Sequence, residues 1–349
     1  MYKLLITGMA GFIGYHLTKK LAEHGFEIFG VDSMNEYYSL QLKKDRLVEL
    51  GFSIDQISNI KFSKSQLYTN ISFRKLDISD YDKLICIFSE NKFDFVINLA
   101  AQPGVRYSLE NPKAYIKANI EGFFNILEAC RHFPIKHLIY ASSSSVYGLS
   151  EELPLKETQR TDNPISLYAA SKKSNELMAY TYSHLYKIPT TGLRFFTVYG
   201  PWGRPDMSPY LFTNSILNGL PINVYNYGEM MRDFTYIDDI IISIYKLLLL
   251  PPGMSGLNTK KSIIETNDHY RVLNIGNNSP IKLIDFVSLI EEYTEAKAII
   301  NFKEMQQGDV KNTHADISEI DNLINYKPQY SIYVGVKRYV EWFKEYYIK

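Results

Sequence analysis

Tyr168 and Lys172 lie one helical turn apart in the stretch from Leu167 to Tyr186, so both project from one helix face. A free tyrosine has a pKa near 10 and is a poor base at neutral pH. An ammonium beside it favours the phenolate, which can then take a proton from a substrate hydroxyl. Just upstream runs Ala141-Ser142-Ser143-Ser144-Ser145-Val146-Tyr147-Gly148. Small hydroxyls there can hydrogen-bond both a substrate oxygen and the Tyr168 phenol. A Tyr-x-x-x-Lys pair is common on ordinary helices, so its meaning depends on the elements around it.

Those elements point to a nucleotide. Thr7-Gly8-Met9-Ala10-Gly11-Phe12-Ile13-Gly14 stands between an apolar strand, Lys3 to Thr7, and a helix from Phe12 to His24. Glycines at 8, 11 and 14 allow a tight turn and close approach of the backbone to a pyrophosphate. The helix N-terminus supplies free N–H groups and a positive dipole end. Asp32 closes the second strand, Glu27 to Val31. A carboxylate there accepts the adenosine ribose hydroxyls and repels a 2′-phosphate, which selects NAD over NADP. Asp77 and Ile78 follow the next strand, Ser72 to Leu76. Leu99, Ala100 and Ala101 end the one after it, Phe95 to Leu99. Both sites fall where the adenine and second ribose of a dinucleotide would lie.

Apolar runs alternate with amphipathic segments through the first two-thirds of the chain, the pattern of a parallel sheet flanked by helices. Helices are expected over Tyr81 to Asn91, Pro112 to His132 and Leu167 to Tyr186, and strands over Lys136 to Ala141 and Thr190 to Phe195. Ser33 to about Asn70 reads as polar and irregular. Later, Val272 to Ile275 and Lys282 to Ala296 read as a strand and a helix. The expected fold is α/β, a Rossmann-type doubly wound parallel sheet with a smaller mixed C-terminal substrate-binding lobe. Residues 1–196 form the NAD domain, with segments of about 232–250 and 270–280 returning to it, and 197–349 form mainly the substrate lobe.

Composition narrows the classes of partner. The chain has 349 residues, 46% hydrophobic and 22% charged, with 38 Lys plus Arg against 38 Asp plus Glu. Balanced charge gives no global pull toward nucleic acid or an anionic membrane, so neither is expected as a partner. The stretch Ile237 to Leu250 is too short to span a bilayer and carries Asp238 and Asp239. Cys86 and Cys130 have no metal-ligand spacing around them and no metal is expected. They read as buried or half-buried thiols of a reducing compartment. The N-terminus opens directly into a strand, without a signal-peptide pattern, and a cytoplasmic protein is expected.

The glycine spacing resembles the G-x-x-G-x-x-G of extended short-chain dehydrogenases/reductases. The chain as a whole resembles their NAD-dependent epimerase/dehydratase family, most closely the UDP-glucuronate 4-epimerases. The resemblance runs through Ala100 to Ser108, Ser142 to Gly148, Ser166 to Lys172, Leu193 to Asp206, Arg232 to Asp239 and Gly308 to Val310, with Ala315-Asp316. It implies a catalytic trio of Ser143, Tyr168 and Lys172. Many members carry Thr where this chain has Ser143, and the hydroxyl is kept. It implies a cofactor-loop position at Asn35, a diphosphate ligand in Arg232 and a ribose contact at Asp309. Arg106, Ser144, Ser145, Thr197, Val198, Val224 and Tyr225 are expected on the substrate side. Arg204 is expected to grip a substrate carboxylate in bidentate fashion.

The implied reaction is redox-neutral. Carbon 4 of UDP-glucuronate is oxidised, the 4-keto sugar swings about its diphosphate link, and hydride returns to the other face to give UDP-galacturonate. NAD stays bound throughout. Related 4,6-dehydratases usually place an Asp-Glu pair after the catalytic hydroxyl, and decarboxylases tend to place Glu at the position of Ser145. Here Ser144 and Ser145 stand instead. Within epimerases, a UDP-N-acetylglucosamine or UDP-glucose substrate is the alternative. A catalytically inactive nucleotide-sugar binding protein is the reading from another class. Phe123, Phe124, Ile126 and Leu127 on one long helix, and Leu177, Met178, Tyr180 and Tyr182 on the other, add apolar faces. The family usually pairs these helices in a homodimer.

Overall fold

The computed structural model describes residues 1–253, 267–306 and 308–348. Its centre is an eight-stranded sheet in the order β12-β7-β6-β5-β1-β2-β4-β3. These strands are β1 (Tyr2–Thr7), β2 (Phe26–Asp32), β3 (Ser63–Lys64), β4 (Ile71–Lys75), β5 (Phe95–Asn98), β6 (His137–Ser143), β7 (Thr190–Phe195) and β12 (Tyr270–Ile275). All neighbours pair in parallel except β3, which runs antiparallel to β4. A parallel sheet is covered on both faces, which is why its strands are apolar on both sides. Leu4 and Ile6 face one core, with Leu17, Ile240 and Phe343. Leu5 faces the other, with Phe88, Phe123 and Leu138.

The chain builds outward from β1 through β2 to β4, then returns to the other side of β1 at β5. The crevice at this reversal, at the carboxyl ends of β1 and β5, is where such sheets bind ligands. β12 enters the sheet beside β7. The helix Ile237–Leu248 packs on α1 (Phe12–Ala22). A late strand and a late helix thus join the layers around the main sheet. Three two-stranded sheets lie outside the main one: β8 (Thr197–Tyr199) with β11 (Phe234–Tyr236), β9 (Pro221–Tyr225) with β14 (Ile299–Lys303), and β10 (Met231–Arg232) with β13 (Ile281–Lys282).

Four expectations need correction. First, the region from Ser33 to Asn70 is not irregular, since α2 (Leu40–Glu49) lies within it. Its buried face holds Leu42 and Leu47 but also Lys43 and Arg46, and those charges hide the apolar period. Arg46 is fully buried and donates to the Ala10 and Trp202 carbonyls at 2.8 and 2.7 Å.

Second, the stretch from Pro112 to His132 is not one regular helix. A π-helical segment, Ile116–Glu121, separates Pro112–Tyr115 from Gly122–His132. Third, β6 runs on through Ser142 and Ser143, which pair with Arg194 and Phe195 of β7. Serine is a poor strand former, but Ser142 is satisfied there by Glu176, to which it donates at 2.7 Å. Fourth, only Cys130 is a buried thiol. Cys86 is exposed, on the outer face of α3 (Tyr81–Asn91).

Candidate active site

The glycine loop is shaped by contacts that no side chain could share. Gly8 has φ +74°, and a Cβ on it would lie 2.8 Å from the Ala100 nitrogen. A Cβ on Gly14 would lie 2.1 Å from the Gly8 carbonyl oxygen. Gly11 caps α1 without a side-chain hydrogen bond, and no acidic residue sits in the first turn. The N–H groups of Phe12, Ile13 and Gly14 are therefore left for an anion. Thr7 fastens the crevice by donating to Asn98 Oδ1 at 2.6 Å and accepting from Ala100 N at 3.1 Å.

Asp32 ends β2 with Oδ1 accepting from Met34 N at 2.8 Å, which fixes the carboxylate toward the cleft. Lys43 Nζ donates to the backbone oxygen and Oδ1 of Asn35, both at 2.7 Å. Burial pulls the Lys43 pKa down, while the Asp32 charge opposes that shift. Asp77 holds the turn after β4 by accepting from Ser79 N and Oγ at 3.0 and 2.8 Å. Ile78 is anchored where Asn125 Nδ2 donates to its carbonyl at 3.0 Å. An uncapped glycine loop, a ribose-ready carboxylate and an apolar slot beside Leu99, Ala100 and Ala101 fit NAD.

The candidate catalytic group, Ser143, Tyr168 and Lys172, lines the same cleft. Tyr168 stands in the first turn of the helix Leu167–Tyr186, whose start is fixed by Ser166 Oγ accepting from Ala169 N at 3.1 Å. Burial raises the Tyr168 pKa, while the adjacent Ser143 hydroxyl and the Arg204 charge lower it. Lys172 Nζ donates to the Ala141 carbonyl at 2.8 Å, and burial pushes its pKa down to about 8. Ser143 Oγ accepts from Ser145 N at 3.2 Å, holding the hydroxyl row in a tight turn over Ser144–Tyr147.

One cleft of about 1060 Å³ brings these groups together. Its walls include the cofactor-side residues Gly8, Gly11, Phe12, Ile13, Gly14, Asp32, Asn35, Asp77, Ile78, Leu99, Ala100 and Ala101. They also include Ser143, Ser144, Ser145, Tyr168, Lys172, Thr197, Val198, Arg106, Arg204, Tyr225, Arg232 and Asp309. Val224 is the exception. Strand alternation turns it into the core, fully buried, while Asn223 and Tyr225 face the cleft. Arg232 is aimed by three carbonyls, those of Met231 and Lys311 at 2.9 Å and Val310 at 2.6 Å. Arg106 Nη2 lies 3.0 Å from Asp309 Oδ2, and its guanidinium stacks over Tyr225 at 4.8 Å. Arg204 departs from expectation in its partner. Its Nε and Nη2 both bind the carboxylate of Asp206, Nε at 3.0 Å, so the bidentate face is taken from within the chain.

Several contributors escaped the sequence reading. Tyr37 and Lys43 line the cleft but belong to no motif with a recognisable spacing, and Asp206, at the end of the resembling stretch Leu193 to Asp206, takes no role from that resemblance. Asn119, in the π-helical segment, accepts from Gln102 N at 2.7 Å and donates to Ser171 Oγ at 2.9 Å. It thereby ties the loop after β5 to the helix Leu167–Tyr186, and π segments do gather at functional sites. No local spacing signals such a segment.

A glycine-loop dinucleotide seat facing a Tyr-Lys pair across one cleft defines an NAD-dependent enzyme on the extended short-chain dehydrogenase scaffold. Residues 4–254 match the NAD dependent epimerase/dehydratase family, and the chain belongs to that family. Protein CapI of Staphylococcus aureus is 50% identical over 349 residues, with 99% of this chain and 100% of that protein covered. A probable UDP-glucuronate 4-epimerase of Rhizobium meliloti is 43% identical over 348 residues, covering 99% of this chain and 98% of that one. Among solved structures, the UDP-glucuronic acid 4-epimerase of Bacillus cereus in complex with UDP-glucuronic acid and NAD is similar with a TM-score of 0.84. It is 32% identical and the match covers 99% of this chain and 100% of that one.

Proposed function

We propose that the protein is a UDP-glucuronate 4-epimerase, interconverting UDP-glucuronate and UDP-galacturonate. The observation that carries this reading is the hydroxyl row at the sugar end of the cleft. Ser143, Ser144 and Ser145 line it beside Tyr168, where related dehydratases and decarboxylases would place a carboxylate. A carboxylate there is an extra acid or base that can divert the 4-keto sugar, whereas a hydroxyl row can donate to a uronate without doing so.

NAD bound at the glycine loop supplies the acceptor and later the donor of the hydride at sugar carbon 4. Tyr168 Oη takes the proton of the carbon 4 hydroxyl and gives it back after the sugar has turned. Lys172, held on the Ala141 carbonyl, keeps a positive charge one turn from the phenol. Ser143 holds the oxygen at carbon 4 in line with Tyr168. Arg232 and Arg106 grip the diphosphate, about which the 4-keto sugar rotates. Arg106 then exchanges Asp309 for the diphosphate, freeing that carboxylate for a ribose hydroxyl. Residues 197–349, of which 254–266, 307 and 349 lie outside the described residues, act mainly as the substrate lobe.

Incubation with UDP-glucuronate, UDP-glucose and UDP-N-acetylglucosamine, followed by chromatography, tests the assignment. UDP-glucuronate should be converted more than about tenfold faster than either competitor, since sites built for a polar group reject analogues lacking it. Faster conversion of a neutral sugar would move the assignment to a hexose or N-acetylhexosamine epimerase. No conversion, and no reduced cofactor on adding any UDP-sugar, would leave only the inactive binding protein.

The working form is a cytoplasmic homodimer. Phe124, Leu177 and Leu185 are 43%, 58% and 59% exposed on the helices Gly122–His132 and Leu167–Tyr186, an apolar surface suited to a second copy. Two unpaired cysteines and dependence on NAD suit the cytoplasm. Light scattering should give the mass of two chains, and a monomer at micromolar concentration would refute the dimer. Recovery of the protein in a membrane or secreted fraction would refute the location.

A further inference from the structure

Tyr37, Asp206 and Arg204 form a chain of contacts that starts at the cofactor loop and ends on Arg204, in the cleft that Tyr168 also lines. Tyr37 Oη donates to Asp206 Oδ2 at 3.0 Å. Asp206 Oδ1 accepts from Arg204 Nε at 3.0 Å, and Oδ2 accepts from Nη2. Tyr37 belongs to the loop that follows Asp32. Its backbone N–H donates to Asn35 Oδ1 at 3.4 Å, the oxygen that Lys43 also holds. Its ring packs on Tyr107 with centroids 4.7 Å apart. All three side chains line the cleft.

We propose that Asp206 is a positioning residue, which orients Arg204 and sets how much of its positive charge reaches Tyr168, with Tyr37 tying the pair to the cofactor loop. The proposal rests on the reading of Tyr168 as the base. A lone guanidinium near the phenol would stabilise the phenolate strongly, and a phenolate that stays ionised is a weak acceptor of the substrate proton. A carboxylate clamped on that guanidinium offsets part of its field. The two charges act in opposite senses on Tyr168, Arg204 lowering its pKa and Asp206 raising it. Among the described residues, the other ionisable groups near Tyr168 are Lys172, one turn along the same helix, and Tyr115, whose ring meets it edge-on at 6.2 Å. Neither belongs to the Arg204 pair, although the Arg204 charge also lowers the Tyr115 pKa against its burial.

The test is the pH profile of kcat on UDP-glucuronate, measured on NAD-loaded enzyme. Its acid limb reports deprotonation of the base in the complex. Asp206→Asn is nearly isosteric and should move that limb to lower pH by about half a unit to one unit, as loss of a nearby like charge does. Arg204→Met should move it to higher pH, and reads the same pair from the other side should Asp206→Asn fail to fold. Asp206→Glu should bring the limb back toward its wild-type position. A residue with only a structural role would lower kcat evenly across pH. A uniform loss with the limb unmoved in both Asp206→Asn and Arg204→Met therefore overturns the proposal, as does a shift of both in one direction. Tyr168→Phe is the internal control. If it keeps its turnover, the assignment of the base fails, whatever the Asp206 variants do.

Discussion

Tyr168→Phe should keep NAD and UDP-sugar binding and lose about a hundred- to ten-thousand-fold in turnover, the contribution of a positioned general base. The substitution removes one oxygen from a ring packed against Tyr115, so the fold has nothing to rebuild. What disappears is the phenol oxygen beside the Ser143 hydroxyl, one helical turn from Lys172. Burial alone pushes that phenol away from ionisation, and the Ser143 hydroxyl and Arg204 charge work against this. The retained binding matters as much as the lost rate. It separates a missing proton acceptor from a collapsed site, and ligand-induced melting shifts will read it. Turnover above about a tenth of wild type would show that another group takes the proton, given that general bases contribute at least about a hundredfold.

The second large effect should come from behind the site. Arg194→Met should lower unfolding free energy by about 3–5 kcal/mol, the cost of stranding one member of a buried ion pair. Arg194 Nε and Nη2 reach the two Glu176 oxygens at 2.8 and 2.9 Å, and both side chains are 5% exposed. Ser142 donates to the same carboxylate at 2.7 Å, and the guanidinium stacks on Tyr147 at 4.8 Å. Remove that cation and the buried carboxylate keeps one neutral donor, Ser142, and the Lys173 ammonium at 3.9 Å.

Acid should reveal the sign. Arg194 holds the Glu176 pKa below its ordinary value, so the pair stabilises the fold above the unfolded glutamate pKa of about 4.3. That contribution fades as pH falls through the lower folded value. The gap between wild type and Arg194→Met should then be widest near neutral pH and narrow in acid. Adding Glu176→Leu should recover much of the loss, because an apolar pair has no charge to desolvate. Denaturant melts that differ by less than about 1 kcal/mol at neutral pH would show the pair to be solvated, as exposed pairs are.

The sequence by itself determined the parts whose physics is local. Gly8, Gly11 and Gly14 announce a phosphate turn because only glycine allows that approach. Tyr168 and Lys172 share a face because a helix repeats every few residues. The helices Tyr81–Asn91 and Leu167–Tyr186 and the strand Thr190–Phe195 begin and end where their apolar periods do. The succession of strands and helices along the first two-thirds of the chain followed from the same alternation. The family resemblance pointed to Arg232 and Asp309, and both line the cleft.

Tertiary structure alone decided the rest, and the reason is the same in each case. A polar side chain shows no periodicity when its partner is far along the chain. Arg46 is buried on α2 because the carbonyls of Ala10 and Trp202 meet it there, so a real helix looked irregular. Ser142 extends a strand because Glu176 waits opposite. Val224 turns inward and Tyr225 outward by the register of a two-stranded sheet, set by pairing with Phe302 and Lys303. Arg204 was legible as a cation near the sugar, but not its partner. Asp206 is only two residues away, yet whether a neighbouring carboxylate meets the guanidinium or solvent depends on the loop's path and on Tyr37 from the far side of the cleft. Local spacing supplied the reacting groups, and long-range packing decided which charges they meet.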